Sequence, residues 1–565
     1  MIRTLLAQIN CTVGDLQGNF KIIKNIWETN REKCDLIVFP ELALTGYPPN
    51  DLFLRKGFVE EQLEYLEGLR EISRGSKCHM VIGVALPNPG KGKPLFNSAV
   101  VFCDGQKVLE YHKQLLPTYN VFDENRYFEE GDCDQDNFFV LETNDGVYNV
   151  GILICEDCWN DEPSLYITNP VMNLCGQNTI DVVVTINASP SDIGKNELRY
   201  EMYKRLSAKY NIAFIYVNTV GGQDALIFDG YSFVADAGRI DAYADGFTET
   251  SLFVKIYPTD EGATALNFPK HDINSAILKH LTLGLRDYAK KNGFKTVVVG
   301  SSGGIDSAVT LMVAKEALGE NNVYAITMPS KYSSEGSVDD SQVLCSNLGI
   351  RLFTRPIGNE VEASIKSFEE AFEEPPSRLT IENMQARIRG RILMEFSNHT
   401  GALVLSTGNK SEMSVGYCTI YGDMCGGLSV IGDLYKMEVY DLARYYNEEM
   451  SEELIPVTII EKEPSAELWE GQKDSDSLPP YPILDALLKI YLERDLLARS
   501  EIKDCMSKIS GLALNDINKI LKMVDKAEFK RRQAPPVLRI HKRSFGFGRN
   551  LPIAQRYEPT YLNVI

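Results

Sequence analysis

Residues 295–319, KTVVVGSSGGIDSAVTLMVAKEALG, join an apolar strand, a glycine-rich loop and an apolar helix in one short run. The loop, residues 301–304, leaves backbone N–H groups open to an anion, and the following helix adds the positive end of its dipole. No lysine stands where a Walker loop has GK[ST], so a site that transfers a γ-phosphate is disfavoured. Asp306 adds a carboxylate beside the loop, which suits Mg²⁺. The alternative is a tight turn that only starts a helix, but the strand–loop–helix context favours a phosphate site.

The segments on either side extend this pattern. A helix is predicted at residues 275–293 and a further strand at residues 322–330, so the order is that of a βαβ unit. Such units form parallel, doubly wound sheets with a Rossmann-like topology. Earlier in the chain, residues 1–257 alternate apolar runs with helical stretches, which predicts a layered α/β domain. Residues 258–275 are the predicted linker and residues 276–565 the second domain, which is expected to be mostly helical near its C-terminus.

The composition limits the class of protein. A chain of 565 residues is too long for a single hydrophobic core, which predicts at least two domains. A net charge of −20 disfavours a nucleic-acid partner, although the C-terminal segments KRRQ and HKR are basic. The N-terminal segment does not resemble a signal peptide, and no apolar run approaches the ~20 residues of a membrane span. The 12 cysteines show no disulfide-framework spacing. A cytoplasmic protein without a membrane partner is therefore expected.

Three apolar runs of the first domain carry reactive residues at or near their ends. DLIVFPE ends at Glu41, KVLEYHK ends at Lys113, and VGILICE has Cys155 near its end. Strand ends on one edge of a sheet converge, and a cysteine nucleophile needs a base and a cation that stabilises an oxyanion. Taken singly, the three residues also fit a helix cap, a solvated strand end and a core thiol. A zinc site at Cys155 and Cys158 would need a second C-x-x-C pair, which the sequence does not contain.

Two family resemblances add roles to these residues. SGGIDS resembles the pyrophosphate loop of the N-type ATP pyrophosphatases, which implies attack of a substrate on the α-phosphate of ATP and later displacement of AMP. FPELALTGYPP, KQLLP and GILICEDCW resemble the catalytic segments of the nitrilase superfamily. That resemblance implies an N-terminal αββα sandwich with Glu41 as general base, Lys113 as oxyanion support and Cys155 as the residue that forms a thioester. Glu156 is expected to be a supporting carboxylate and Cys158 a packing residue.

The two halves together resemble the glutamine-dependent NAD⁺ synthetase family over essentially the whole chain. The resemblance implies a carbon–nitrogen ligase that amidates deamido-NAD⁺ through an adenylate, with ATP and Mg²⁺. Ammonia would come from glutamine through an internal channel, and the products would be NAD⁺, AMP, pyrophosphate and glutamate. The resemblance also implies a homo-oligomer formed through the synthetase domains. Closure on binding of the acceptor, which would gate the amidase, is a further hypothesis.

The same resemblance assigns binding residues segment by segment. YNVFDENRYF and NASPSDIGK supply the glutamine contacts, which are Tyr119, Ser189 and Lys195. The glycine loop, STGNKSEMSVGY, DLYKMEVYDL and the expected lid EPSAELWEGQKDSDSLPPY supply the ATP contacts, which are Gly300, Ser301, Ser302, Gly303, Gly304, Ile305, Asp306, Ser307, Thr407, Lys436 and Ser465. IENMQARIRGR, STGNKSEMSVGY and EFKRRQAPP supply the deamido-NAD⁺ contacts, which are Asn383, Arg387, Glu412 and Lys530. Asp306 and Glu412 are the implied Mg²⁺ ligands.

The chain departs from the ammonia-dependent members of the family at CTIYGDMCGG, residues 418–427. Ile420 stands where those members carry a lysine, so no dinucleotide contact is assigned there. Two other functions stay open: an ATP-pyrophosphatase amidotransferase of the GMP- or asparagine-synthetase type with another carboxylate acceptor, and a tRNA-modifying adenylating enzyme. Ile2 excludes an amidase with an N-terminal cysteine, and the net charge of −20 disfavours tRNA. An intact loop and triad disfavour a non-catalytic subunit.

Overall fold

The computed structural model describes residues 1–161, 165–257, 266, 272–546 and 548–561. The chain divides into two compact units, Met1–Lys270 and His271–Ile565. Most of the predicted linker, residues 258–275, lies outside the described residues. No helix of the described part is long and apolar enough to cross a membrane.

The first unit consists of short strands and four helices among its described residues. Its strands are β1 (Ile2–Gln8), β2 (Leu36–Val38), β3 (His79–Pro87), β4 (Leu95–Cys103), β5 (Gln106–His112), β6 (Phe138–Thr143), β7 (Gly146–Ile154), β8 (Val182–Asn187), β9 (Ala213–Asn218), β10 (Val220–Gln223), β11 (Leu226–Asp229), β12 (Phe233–Asp236), β13 (Arg239–Tyr243) and β14 (Thr250–Ile256). Its helices are α1 (Leu16–Asn30), α2 (Phe58–Ser73), α3 (Pro170–Gln177) and α4 (Lys195–Tyr210).

Two six-stranded sheets dominate the described part of this unit, in the orders β14-β1-β2-β3-β4-β5 and β13-β12-β9-β8-β7-β6. Strand β3 shows how the first sheet is covered on both faces. Its Val81 packs into the core shared with the second sheet, whereas Met80 and Ile82 pack into the core that contains α1 and α2. Helix α4 covers the second sheet through Tyr203. The expected αββα sandwich is confirmed, and both faces of the sheets are apolar because both are buried.

The second unit is built around five strands in its described residues, and helices make up most of the rest. The strands are β15 (Val297–Gly300), β16 (Val323–Thr327), β17 (Arg351–Thr354), β18 (Leu403–Ser406) and β19 (Leu428–Ser429). The helices are α5 (Ile273–Lys291), α6 (Ile305–Leu318), α7 (Glu335–Leu348), α8 (Gly358–Phe372), α9 (Arg378–Thr400), α10 (Lys410–Val415), α11 (Lys436–Met450), α12 (Val457–Glu461), α13 (Tyr481–Glu493), α14 (Arg499–Ile509), α15 (Leu514–Lys526) and α16 (Glu528–Arg531).

The sheet of the second unit is parallel throughout and runs in the order β17-β16-β15-β18-β19. The strand order reverses between β15 and β18, and ligands bind at such a switch point, beyond the carboxyl ends of the strands. The glycine loop follows β15 at this point. The expected doubly wound, Rossmann-like sheet is confirmed.

The C-terminal part of the second unit differs from the sequence prediction in one respect. Helices α13, α14 and α15 share a separate apolar core, as expected for a mostly helical region. Beyond Arg531, however, residues 532–546 and 548–560 form no helix, and Val537 forms a bridge to Ser429 at the edge of the sheet. Pro535 and Pro536 stand just before that bridge and cannot donate the hydrogen bonds of a helix.

Two candidate active sites

Cys155 lies directly after β7, at the start of a short 3-10 turn that ends at Cys158. Its backbone has a φ of +44°, a left-handed conformation that is strained for a residue with a side chain and is typical of functional sites. Asp157 holds this turn. Its Oδ2 accepts hydrogen bonds from the backbone N–H of Ile154 at 3.0 Å and from the Tyr111 hydroxyl at 2.8 Å. Its Oδ1 accepts one from the backbone N–H of Leu115 at 2.9 Å. The turn is thereby fixed to the segment that follows β5.

Lys113, the residue after β5, lies between two buried glutamates. Its Nζ is 2.7 Å from Glu41 Oε1 and 2.9 Å from Glu124 Oε1, and all three side chains are buried. Asn97 Nδ2 donates to Glu41 Oε1 at 2.8 Å, and the backbone N–H of Ala188 donates to Glu41 Oε2 at 2.8 Å. Each oxygen of Glu41 therefore has a fixed donor, which orients the carboxylate.

The charges of this cluster act on Cys155. Burial raises the pKa of the Cys155 thiol well above its ordinary value, the negative charge of Glu41 raises it further, and Lys113 opposes both effects. Burial alone would lower the pKa of Lys113, but Glu124 and Glu41 outweigh it and keep the ammonium charged. Burial also raises the pKa of Glu124, against the attraction of Lys113. The resting site thus holds a neutral thiol next to a carboxylate and a fixed cation, which are the groups that nucleophilic catalysis by cysteine requires.

The three predicted glutamine contacts lie around the same turn. The Tyr119 hydroxyl donates to Glu156 Oε1 at 2.9 Å, and the Tyr166 hydroxyl donates to the same oxygen at 3.1 Å. Lys195 Nζ lies 4.0 Å from the centre of the Trp159 ring, just beyond the turn. Ser189 is next to Ala188, which contacts Glu41. Cys158 is fully buried and packs in the apolar core cluster that also includes Cys155.

The second unit has a cavity of about 660 Å³ at the switch point of its sheet. Most of the residues predicted to bind nucleotide line it, namely Gly300, Ser301, Ser302, Gly304, Ile305, Asp306, Asn383, Thr407, Glu412, Lys436, Ser465 and Lys530. Gly303, Ser307 and Arg387 are not among the lining residues. Ser307 instead supports the loop from behind, because its Oγ accepts a hydrogen bond from the backbone N–H of Ser302 at 3.3 Å.

The glycine loop packs tightly against the start of α7. Gly303 has a φ of +73°, and a Cβ added there would lie 2.3 Å from the backbone oxygen of Ser337. Only glycine fits this position, both for its conformation and for its space. Ser301 Oγ is buried and makes no hydrogen bond among the described residues. A buried hydroxyl without a partner on an anion loop is a donor that a phosphate oxygen could satisfy.

Lys436 holds two acidic residues of the cavity. Its Nζ is 2.6 Å from Asp306 Oδ2 and 2.9 Å from Glu412 Oε1. Burial would lower the pKa of Lys436, but the two carboxylates together raise it. Burial raises the pKa of Glu412, while Lys436 opposes that shift. The carboxylates of Asp306 and Glu412 therefore share the Lys436 ammonium beside the glycine loop.

The predicted dinucleotide contacts are only partly brought together. Asn383 Oδ1 accepts a hydrogen bond from Thr419 Oγ1 at 2.8 Å, and Lys530 Nζ donates to the backbone oxygens of Gly416 and Cys418 at 2.7 and 2.8 Å. Arg387 is exposed, and its Nε donates to the backbone oxygen of Ile420 at 3.3 Å.

Residues 418–427, to which the sequence assigned no contact, supply part of the cavity wall through Cys418, Thr419, Gly422, Asp423 and Cys425. Arg389 also lines the cavity, and burial lowers the pKa of its guanidinium to about 10.

Comparison with known proteins identifies the combination of these two sites. A family model described as carbon-nitrogen hydrolase matches residues 5–265, and one described as NAD synthase matches residues 277–534. The glutamine-dependent NAD(+) synthetase of Synechocystis sp. is 41% identical to this chain, and the match covers 99% of this chain and 100% of that protein. That of Thermotoga maritima is 37% identical, over 99% of each chain.

A solved glutamine-dependent NAD+ synthetase from Acinetobacter baumannii, in complex with ADP, superposes with a TM-score of 0.75. Its sequence is 36% identical, and the match covers 98% of each chain.

This chain belongs to the glutamine-dependent NAD⁺ synthetases. Like the other members of that family, this NAD⁺ synthetase is a ligase that hydrolyses glutamine. The interpretations as a GMP- or asparagine-type amidotransferase and as a tRNA-modifying enzyme are therefore set aside.

Two polar residues of the NAD⁺ synthetase amidase site are missing from the sequence prediction. Glu124 is the second carboxylate on Lys113, and Asn97 donates to both Glu41 and Glu124, at 2.8 and 3.3 Å. Glu124 lies in the segment YNVFDENRYF, in which the family resemblance assigns a role only to Tyr119. One signal in the sequence points to Glu124: it is an acidic residue 11 positions after the predicted Lys113.

The implied Mg²⁺ of this NAD⁺ synthetase can be tested against the donors at the cavity. Asp306 and Glu412 offer carboxylate oxygens, which are the ligands that Mg²⁺ prefers, and both already lie within reach of one cation, the Lys436 ammonium. The donor chemistry therefore fits a magnesium ion that would take over these carboxylates from Lys436.

Proposed function

We propose that residues 1–257 form the glutaminase domain, residues 258–275 the linker and residues 276–565 the synthetase domain. The two family matches, residues 5–265 and 277–534, support this division. Each proposed domain contains one of the two clusters of reactive residues described above. The function is the ATP-dependent amidation of deamido-NAD⁺ with nitrogen taken from glutamine.

In the glutaminase reaction, Glu41 takes the proton of the Cys155 thiol, and the thiolate attacks the side-chain carbonyl carbon of glutamine. Lys113 stabilises the oxyanion that forms. The proton passes from Glu41 to the leaving nitrogen, the C–N bond breaks, and ammonia departs from a thioester on Cys155. Water, deprotonated by Glu41, then attacks the thioester and releases glutamate. The short contacts of Glu41 and Lys113, together with their influence on Cys155, support these roles.

Glutamine is held by Tyr119, Ser189 and Lys195 in this proposal. Lys195 would pair with the α-carboxylate, and the position of its Nζ over Trp159, next to the catalytic turn, supports that role. Tyr119 is already fixed by Glu156 at 2.9 Å. These residues orient the substrate so that its amide carbon meets Cys155.

In the synthetase reaction, the nicotinate carboxylate of deamido-NAD⁺ attacks the α-phosphate of ATP, and pyrophosphate leaves. Ammonia then attacks the acyl-adenylate, and the bond to AMP breaks to give NAD⁺. Residues 300–307, Thr407, Lys436 and Ser465 hold ATP, and Ser301 Oγ is a free donor for its phosphates. Asn383, Glu412 and Lys530, which line the cavity, hold the dinucleotide, whereas the predicted contact Arg387 is exposed and does not line it. Asp306 and Glu412 would hold Mg²⁺, which when bound neutralises charge on the phosphates.

Ammonia is mostly protonated in neutral water, and ammonium does not attack a carbonyl. We therefore propose that ammonia reaches the adenylate by an internal route rather than through solvent. A cytoplasmic location is supported by the 12 cysteines, all described and all free of disulfides. Assembly as a homo-oligomer through the synthetase domains, and binding of small molecules without nucleic acid, complete the proposal.

The observation that carries the proposal is the pairing of a Glu41–Lys113–Cys155 cluster with an SGGIDS loop in one chain. The test measures NAD⁺ formed from deamido-NAD⁺, ATP and Mg²⁺ with either glutamine or ammonium. Cys155→Ala should lose glutamine-driven synthesis and keep ammonium-driven synthesis. Asp306→Ala should lose both. Glutamine use by the Cys155 variant, or ammonium use by the Asp306 variant, would contradict the assigned roles.

A further inference from the structure

Asn409 joins the two acidic residues of the nucleotide cavity. Its side-chain Nδ2 donates to Asp306 Oδ1 at 2.8 Å, and its Oδ1 accepts from the backbone N–H of Glu412 at 3.0 Å. Lys436 bridges the same two acids from the other side. The four residues therefore form a closed ring, in which Asp306 is held by Asn409 at one oxygen and by Lys436 at the other.

The two donors on Asp306 differ in charge, and this difference decides which of them can leave. Lys436 is a cation on a flexible side chain, and an entering triphosphate attracts it. Asn409 is neutral and fully buried, and it precedes Lys410, whose Nζ is anchored at 2.7 Å from Glu493 and 2.9 Å from Asp433. The position of Asn409 is therefore set by the protein interior and does not depend on the nucleotide.

We propose that Asn409 is the positioning residue of the synthetase site, which keeps the Asp306 carboxylate aimed into the cavity when Lys436 turns to the phosphates of ATP. This inference rests on the proposed roles of Asp306, Glu412 and Lys436. Asn409 itself touches neither nucleotide nor metal in this proposal. It acts through Asp306 and fixes the spacing of that carboxylate from Glu412.

Asn409 could instead have only a structural role, as the N-cap of α10, because its Oδ1 accepts a hydrogen bond from the backbone N–H of Glu412. Asparagine, aspartate and serine cap helices about equally well. Asn409→Ser keeps a cap but is too short to reach Asp306. Asn409→Asp keeps the cap and the length but replaces the donor with a carboxylate that repels Asp306. A cap role predicts that both variants behave as the unchanged protein, whereas a positioning role predicts that both fail.

The experiment compares both variants with Asp306→Asn and with a control, Asp272→Ser, in which another N-cap is changed to serine at the start of α5. The first measurement is ammonium-driven NAD⁺ formation. We expect roughly a tenfold or larger loss in kcat/KM for ATP in both Asn409 variants, as for loss of a hydrogen bond to a charged group. Melting temperature and glutaminase activity should not change.

The second measurement uses Mn²⁺–ATP as the probe, without deamido-NAD⁺ so that no turnover occurs, and follows bound Mn²⁺ by electron paramagnetic resonance. Asn409→Ser should bind Mn²⁺–ATP several-fold more weakly and Asp272→Ser should bind it normally. If Asp306→Asn binds as tightly as the unchanged protein, the assignment of Asp306 fails. If Asp306→Asn is weakened but Asn409→Ser is not, the inference about Asn409 is overturned while the proposed function stands.

Discussion

At the residue scale, Cys155 is held in a protonated state by its surroundings. Burial and the Glu41 carboxylate both raise the pKa of its thiol, and the single cation Lys113 does not cancel them. The resting site therefore favours the thiol over the thiolate. A protonated thiol is less easily oxidised than a thiolate, so this arrangement protects the nucleophile.

The raised pKa gives a test by pH. Below its pKa the thiol dominates, so the fraction of thiolate, and with it the rate of alkylation, should rise about tenfold for each pH unit. We expect the rate of iodoacetamide labelling at Cys155, followed by peptide mass spectrometry, to keep rising from pH 6 to pH 9. A plateau near neutral pH would show that the thiolate is already formed in the resting enzyme.

Glu124 is expected to matter as much as the predicted base. In Glu124→Gln, Lys113 would pair with Glu41 alone. The ammonium would then stabilise the negative charge of Glu41 more strongly, so that Glu41 would take up the proton of Cys155 less readily. Glutaminase kcat should fall roughly a hundredfold, in the range known for loss of general-base catalysis, and ammonium-driven synthesis should not change. Glu142→Gln, an exposed change on β6, is the control. Near-normal glutamine hydrolysis by the Glu124 variant would show that one carboxylate on Lys113 is enough.

Cys158 tests the opposite expectation. It is fully buried in the apolar core. Cys158→Ala should keep glutaminase activity and lower the free energy of unfolding by about 1–2 kcal/mol, because the removed sulfur leaves a small cavity. Thermal unfolding and glutamine hydrolysis measure the two effects. A loss of activity larger than the loss of stability would give Cys158 a role in catalysis.

The sequence best predicts which residues come together where a motif fixes both the residue and its direction. Glu41, Lys113 and Cys155 each follow an apolar run, and the ends of those runs meet. In IENMQARIRGR the motif gave no direction. Arg387 and Arg389 are two positions apart on α9 and so point roughly 200° apart, and it is Arg389 that lines the cavity. Helical phase depends on packing that the segment alone does not contain.

At the scale of elements, strand positions place polar partners that no local pattern shows. Asn97 lies on β4, directly beside β5, which leads to Lys113, and Ser98 of β4 pairs with His112 in the sheet. The hydrogen bond from Asn97 to Glu41 joins residues that are 56 positions apart in the sequence. The layered fold could be predicted from apolar runs, but this register depends on how the sheet assembles. The same holds for Asn409, whose contact with Asp306 spans 103 residues.

The C-terminal segment that follows Arg531 is held to α11 by an ion pair with its own pH dependence. His541 Nε2 lies 2.9 Å from Glu438 Oε2. Burial would lower the pKa of His541, but Glu438 outweighs it and raises that pKa above its ordinary value. A raised histidine pKa contributes stability below about pH 6.5, and this contribution is lost as pH rises through the folded-state pKa.

His541→Gln should therefore lower the melting temperature more at pH 6 than at pH 9. The cost at pH 6 is expected to be about 1 kcal/mol or more, as for a buried charge that loses its partner. Scanning calorimetry of both proteins at the two pH values measures it. A difference in melting temperature that grew with pH would mean that the histidine is neutral in the folded protein.

At the scale of the whole molecule, each unit contains apolar core clusters of its own. Damage to one site should therefore leave the other folded. Gly303→Ala should abolish NAD⁺ formation from either nitrogen source, because a Cβ there would lie 2.3 Å from Ser337 O. Glutamine hydrolysis should continue, and a coupled glutamate assay measures it. Loss of both activities would show that the amidase depends on an intact nucleotide site.

Because each unit has core clusters of its own, a lesion in the synthetase half and a lesion in the amidase half would have different consequences for the cell. A chain whose synthetase site fails while its amidase stays active would release ammonia from glutamine at each turnover without forming NAD⁺. A chain with a failed amidase half would waste nothing and could still be fed by ammonium. The two kinds of lesion would thus differ in how much glutamine nitrogen the cell loses. Selection should remove lesions of the synthetase half faster than lesions of the amidase half.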